Sequence, residues 1–340
     1  MAYKMVVTMI SKTKFALVPT VLAPTVLAVA LLIPGMASAC SSCGCTLTSD
    51  WESQGLTATP GLRFDLRYDY LNQNQLRASG HAVDRSTLSY PADREIEEKT
   101  RNHYVTLGVD YSPNADWGLS LSLPYIDRYH ETIAPGDTRI SASQSKAVGD
   151  IRLLARYQGF PTSHLIGIQF GLKLPTGRFH DNFNSGPQGN LSQMSGDPLD
   201  RGLQPGTGTT DALVGLYHFG SLSQNWDYFI QGMAQIPLHS REDYKPGVSF
   251  NLNGGVHYLG FARLTPQLQI NVKTGARDSG ANADRDNSAG TLVYLSPGAT
   301  FSVTDRFKIY GFVQLPVYQY VYGYQLAPKW TFSTGFHYAI

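Results

Sequence analysis

The sequence predicts an all-β fold, a transmembrane antiparallel β-barrel of about 12 strands, on three observations. Apolar and charged residues alternate with a period of two, such segments recur along most of the chain, and the connections between them fall into a long and a short class. The clearest alternation is LRFDLRYDYL, residues 62–71. Leu62, Phe64, Leu66, Tyr68 and Tyr70 take one face of an extended strand, and Arg63, Asp65, Arg67 and Asp69 take the other. A helix would scatter both sets around its circumference, so the period excludes it.

Similar segments follow at roughly 101–111, 117–126, 149–157, 165–174, 211–219, 226–238, 248–258, 266–274, 290–300, 307–316 and 329–340. Each is about as long as a tilted bilayer-spanning strand, and with 62–71 they make an even number. One strand alone would fit a soluble sandwich, whose charged face meets water. The connections decide against it. Residues 72–100, 127–148, 175–210, 239–247, 275–289 and 317–328 are polar and mostly long, whereas 112–116, 158–164, 220–225, 259–265 and 301–306 are short turns. Long loops at one end and short turns at the other are the pattern of bacterial outer-membrane barrels, whose termini lie on the periplasmic side. Every backbone group in a bilayer must be hydrogen-bonded within the protein, so the sheet must close on itself.

Residues 1–39 read as an export leader. Lys4, Lys12 and Lys14 precede an apolar run from Phe15 to Ile33, and Ala37-Ser38-Ala39 supplies a small-residue cleavage pattern. Residues 40–60 then form a periplasmic, cysteine-containing tether, and 61–340 the barrel. Without the leader's three lysines the charge falls from 27 basic against 26 acidic residues to 24 against 26, net −2. That balance leaves no basic footprint for nucleic acid. After the leader no apolar run has the length of a membrane-crossing helix.

The polar faces predict a wet interior. Asp150, Arg152 and Arg156 share one face of DIRLLARYQ, and Gln267, Gln269, Asn271 and Lys273 share one face of PQLQINVKTG. The predicted lumen and selectivity surface comprises Arg63, Asp65, Arg67, Asp69, Asp150, Arg152, Arg156 and Lys173. Twelve strands leave a lumen partly filled by side chains or loops, and the 36-residue connection 175–210 is the candidate constricting loop. At the end of the chain Phe332, Phe336, Tyr338 and Ile340 alternate, which resembles the C-terminal signature of bacterial outer-membrane barrels, with Ile340 where an aromatic is usual.

VGDIRLLARYQ, followed after a short turn by IGIQFGLKLPTGRF, resembles the outer-membrane transporter family of the meta-pathway of phenol degradation. The resemblance is carried by Gly149-Asp150, by the strand to Tyr157 and by Leu174-Pro175-Thr176-Gly177, and continues in LQPGTGTTDALVGLYHF. It covers roughly residues 60–340. It implies an outer-membrane channel, associated in some members with uptake of aromatic or other hydrophobic compounds, and brings no catalytic residues.

All three cysteines, Cys40, Cys43 and Cys45, fall in ACSSCGCTLTSDW, so the barrel is held without disulfides. Four readings stay open for the cluster. Structural zinc normally takes four ligands and no fourth lies near; a soft metal such as Cu(I) can be held by reduced thiolates; Cys40 can carry a lipid; two of the three can form a redox disulfide. Cys40-Ser41-Ser42-Cys43 also resembles the start of some porins of porin–cytochrome electron conduits. Elsewhere, Asp278, Asp284 and Asp286 depart from a calcium loop, since glycine falls one position late and no glutamate closes it. QPGTGTTD lacks the lysine of a phosphate loop. His103, His130 and His218 join no compact hydrolase-like grouping, and Tyr318, Tyr320, Tyr322 and Tyr324 suit an aromatic girdle or a sugar-stacking surface.

Together these readings predict a non-enzymatic channel or transporter of the Gram-negative outer membrane, in contact with its lipid. Small molecules, hydrophobic or aromatic ones included, would pass by passive diffusion, without a resident cofactor. The alternative is the barrel of a porin–cytochrome electron conduit or metal-handling system, whose cysteines meet a periplasmic redox or metal-carrying partner.

Overall fold

The computed structural model describes residues 60–160, 165–184 and 195–340. The leader, Cys40, Cys43, Cys45 and the tether to residue 59 lie outside the described residues. The strands are β1 (Gly61–Ser79), β2 (His81–Ala82), β3 (Ile96–Ser112), β4 (Trp117–Ile133), β5 (Ile140–Val148), β6 (Ile151–Tyr157) and β7 (Ile166–Leu174). They continue as β8 (Asp211–Ser223), β9 (Trp226–Pro237), β10 (Ser249–Tyr258), β11 (Leu264–Gly275), β12 (Gly290–Ser302) and β13 (Phe307–Ala339). Among the described residues no helix is long and apolar enough to cross a membrane.

One antiparallel sheet runs β13-β12-β11-β10-β9-β8-β7-β6-β4-β3-β1-β2, with β5 on β4, and β13 closes the ring by pairing with β1. Eleven elements thus form the ring, with β2 and β5 outside it. An odd number of straight strands cannot close with every neighbour antiparallel, so one element must reverse. β13 does so. Its 33 residues fold back near Gly323, which has φ 59°; Lys308 to Val321 pair with β12, and Tyr324 to Ala339 with β1. The two arms also meet each other, Thr331 Oγ1 donating to Gln314 Oε1 at 2.8 Å and Thr334 Oγ1 to the Tyr310 carbonyl at 2.8 Å. With β13 counted twice, the ring has the 12 strands that the alternation predicts.

Alternation sorts the two faces. Leu216 is 62 % exposed while Tyr217 beside it is 2 % exposed. Leu119, Leu153, Phe170, Ile270 and Val317 likewise cover the outside, and Gln169, Gln231, Asn271 and Gln314 are buried inside. Buried amides are costly unless hydrogen-bonded. Here they bond along the inner wall, Gln231 Nε2 on β9 to Gln169 Oε1 on β7 at 2.8 Å and Ser296 Oγ on β12 to Asn271 Oδ1 on the adjacent β11 at 2.6 Å. Beside the short turns, Trp117 lies 4.8 Å from Tyr157 and Trp226 5.0 Å from Tyr258, as in an aromatic girdle. At the opposite end Tyr320 packs edge-on against Tyr322 at 5.4 Å, and Arg277 and Arg94 sit over the rings of Tyr322 and Tyr324.

The structure corrects the sequence at the long-loop end. Residues 72–79, 127–133, 140–148 and 317–328 read as connections, yet they are strand. Here β4 carries Asp127 and β5 carries Lys146, 3.1 Å apart, and Arg101 lies over Tyr129 at 5.0 Å. Ladder hydrogen bonds do not require an apolar face, so strands continue where lipid, and with it the alternation, has ended. β5 and β6 follow one course along β4, interrupted at Gly149-Asp150.

Candidate constriction of the barrel lumen

The eight charges predicted for the lumen fall into three groups. Nearest the short turns, Arg63 Nη2 lies 2.7 Å from Asp110 Oδ1, and Arg156 Nη1 lies 2.8 Å from Asp110 Oδ2. Both guanidinium groups also donate to Ser112 Oγ. Arg156 on β6 reaches β3 across β4 because Gly118 stands between them; a Cβ there would collide with the guanidinium. On β1, Arg67 Nε pairs with Asp69 Oδ2 at 2.8 Å, Asp69 Oδ1 accepts from Ser333, and Asp65 Oδ1 accepts from the Tyr310 hydroxyl at 3.0 Å.

The third group holds Asp150, Lys173 and Arg152. Lys173 Nζ lies 3.1 Å from Asp150 Oδ2 and 2.9 Å from Asp211 Oδ2, and all three side chains are buried. Gln235 Nε2 donates to Asp211 at 2.6 Å, and Gln235 Oε1 accepts from Arg152 Nη2 at 3.0 Å. Arg152 is exposed, unlike Arg63, Arg156, Asp69, Asp150 and Lys173.

Asp150 is where the segments of the family resemblance meet. Its Oδ1 accepts from Gly177 N at 3.0 Å, and its Oδ2 accepts from Thr207 N at 3.0 Å and Thr207 Oγ1 at 2.9 Å. Gly177 follows β7 and Thr207 precedes β8, so one carboxylate ties both ends of the 175–210 connection to the wall. Thr176 Oγ1 donates to the Gly149 carbonyl and accepts from Ile151 N, both at 3.0 Å, which satisfies the backbone where β5 breaks from β6. Gly149, Gly177 and Gly206 let three backbones touch, since a Cβ on Gly177 would stand 2.7 Å from Gly206 Cα and 2.9 Å from the Gly149 carbonyl carbon.

Further into the connection, Arg128 on β4 donates to the carbonyls of Gly202 and Gln204, each at 3.4 Å, while its Nε bonds Asn102 at 2.6 Å. Gln204 ties back to the carbonyls of Asp181 and Leu199, and Phe183, Leu199 and Leu203 form a small apolar core. The described parts of 175–210 are therefore folded against inward-facing side chains. Asp211 opens a segment that reads as strand, whereas Arg128 falls in the 127–148 connection; nothing in the sequence shows that loop carbonyls are the partners of Arg128, or Thr207 that of Asp150.

Above this lies a recess of about 590 Å³, space open to solvent included, lined by Glu95, Glu97, Asp200, Asp278, Asp284 and Arg201 among others. Enclosure by the walls, and then the charge of Asp200, pushes the Glu95 carboxyl up to about 7. Enclosure and then Asp284 push Asp200 up to about 6, although water still reaches it. Among the described residues no group of three or more His, Cys, Asp or Glu is placed to hold a metal ion.

The fold has a solved counterpart. It is similar to the COG4313 outer membrane channel from Pseudomonas putida F1, with a TM-score of 0.60 and 13% identity over 86% of this chain and 99% of that one. Weaker likenesses include the β domain of the Bordetella autotransporter BrkA (TM-score 0.46, 11% identity, 82% of this chain, 100% of that one). Another is the Ralstonia pickettii toluene transporter TbuX (TM-score 0.44, 10% identity, 89% of this chain, 97% of that one). No protein-family model and no curated protein matches the chain. The chain therefore has the fold of an outer-membrane β-barrel channel.

Proposed function

We propose that this protein is a channel of the Gram-negative outer membrane, through which small molecules diffuse passively, with both chain termini on the periplasmic side. The observation that carries the reading is the closed ring, apolar outside and polar inside, with the 175–210 connection folded onto inward-facing Asp150 and Arg128. Bilayer-facing apolar side chains and a polar interior suit solute passage. The fold shared with the Pseudomonas putida channel supports it. Small aromatic compounds are the proposed permeants. That part rests on the motif resemblance at Gly149-Asp150, Leu174 to Gly177 and Gln204 to Asp211, segments that come together at the constriction.

Flux into liposomes tests it. Protein-dependent entry of an aromatic carboxylate such as benzoate, following its gradient in either direction, is the expected result. Liposomes that hold folded barrel and remain as tight as protein-free ones would overturn the reading.

A further inference from the structure

Asp150 presents its carboxylate to four donors, Gly177 N, Thr207 N, Thr207 Oγ1 and Lys173 Nζ, all within 3.1 Å. The donors come from three places, the first residues after β7, the last before β8, and β7 itself. Other Asp and Glu side chains of the interior bond chiefly to barrel strands, as Asp110 does to Arg63 and Arg156 and Asp69 to Arg67 and Ser333. Asp150 sits where β5 and β6 part; Gly149 N there still donates to the Pro124 carbonyl at 2.8 Å, and the bonds of Thr176 close the break without touching Thr207. Hydrogen bonds to a carboxylate are the stronger kind, and four on one group define a single position for its donors.

We propose that Asp150 is the positioning residue of the constriction, a clasp that pins both ends of the 175–210 connection in the lumen and so sets the channel's open cross-section. This role rests on the channel reading above and differs from lining the permeation path. The clasp acts on the loop, and the loop acts on the solute. Lys173 orients the carboxylate and is itself shared with Asp211, which couples the clasp through Gln235 to Arg152.

The test uses the full-length protein and its Asp150→Ala and Asp150→Asn variants, with two readouts. Amide hydrogen exchange is followed over 175–184 and 195–210, and unitary conductance is measured in planar bilayers. In Asp150→Ala, exchange at Gly177 and Thr207 is expected to quicken about tenfold with the β8–β12 strands unchanged, and unitary conductance to rise with added flicker. Asp150→Asn, which retains one acceptor oxygen, should fall between. Unchanged exchange at both amides in a folded Asp150→Ala barrel would overturn the clasp. So would faster exchange with wild-type conductance, because the loop would then move without governing the opening. If the wild type does not conduct, the channel reading fails, and exchange alone still decides whether Asp150 holds the loop.

Discussion

Lys173 and Arg152 lie within one hydrogen-bonded chain and yet have different work. Lys173 is buried between Asp150 and Asp211, so replacing it with methionine leaves two carboxylates enclosed without their cation. Removing one member of a buried ion pair costs about 3–5 kcal/mol. Lys173→Met should therefore lower the denaturant midpoint for unfolding of the detergent-solubilised barrel, and an unchanged midpoint would contradict the network. Arg152 keeps its charge at an exposed interior position beside Gln235. Arg152→Gln is expected to shift the reversal potential in a KCl gradient toward cation preference. Arg156, held by Asp110 and Ser112, should change stability more than selectivity when replaced by glutamine. Equal shifts from the two replacements would refute this division.

At the scale of elements, the charged recess above the constriction would make the proposed channel sensitive to pH. Glu95 and Asp200 have carboxyls raised to about 7 and about 6, beside Glu97, Asp278, Asp284 and Arg201. A raised carboxyl is protonated below its shifted value and charged above it. The mouth thus gains negative charge between about pH 5 and about pH 8. Cation preference should rise over that interval, and Glu95→Gln with Asp200→Asn should flatten the profile; a wild-type reversal potential independent of pH would contradict the account. The strands that carry this mouth were the least legible part of the sequence. LRFDLRYDYL declares β1 because lipid demands an apolar face, whereas residues 127–133 and 140–148 pair as strands with Asp127, Tyr129 and Lys146 in place of that face. Residues 317–328 hid the reversal of β13 differently: Tyr318, Tyr320, Tyr322 and Tyr324 do alternate, but they read as a girdle or stacking surface on a connection rather than as two strand arms meeting near Gly323.

At the scale of the molecule, a closed ring is legible because lipid and lumen impose opposite demands on alternate residues. Inward placement of Arg63, Asp69, Asp150 and Lys173 follows from that rule. Their partners do not, because they depend on register between strands distant in the chain: Arg156 reaches Asp110 only where Gly118 opposes it, and Asp150 meets Thr207 only through the fold of a loop. The barrel is proposed to conduct solutes past a loop folded into its lumen. Single-channel recording of the purified protein in a planar bilayer tests it most directly. Discrete unitary currents are expected, with a reversal potential that moves when Arg152 becomes glutamine. A folded barrel that inserts into the bilayer and passes no current, in wild type and in Asp150→Ala alike, would contradict it.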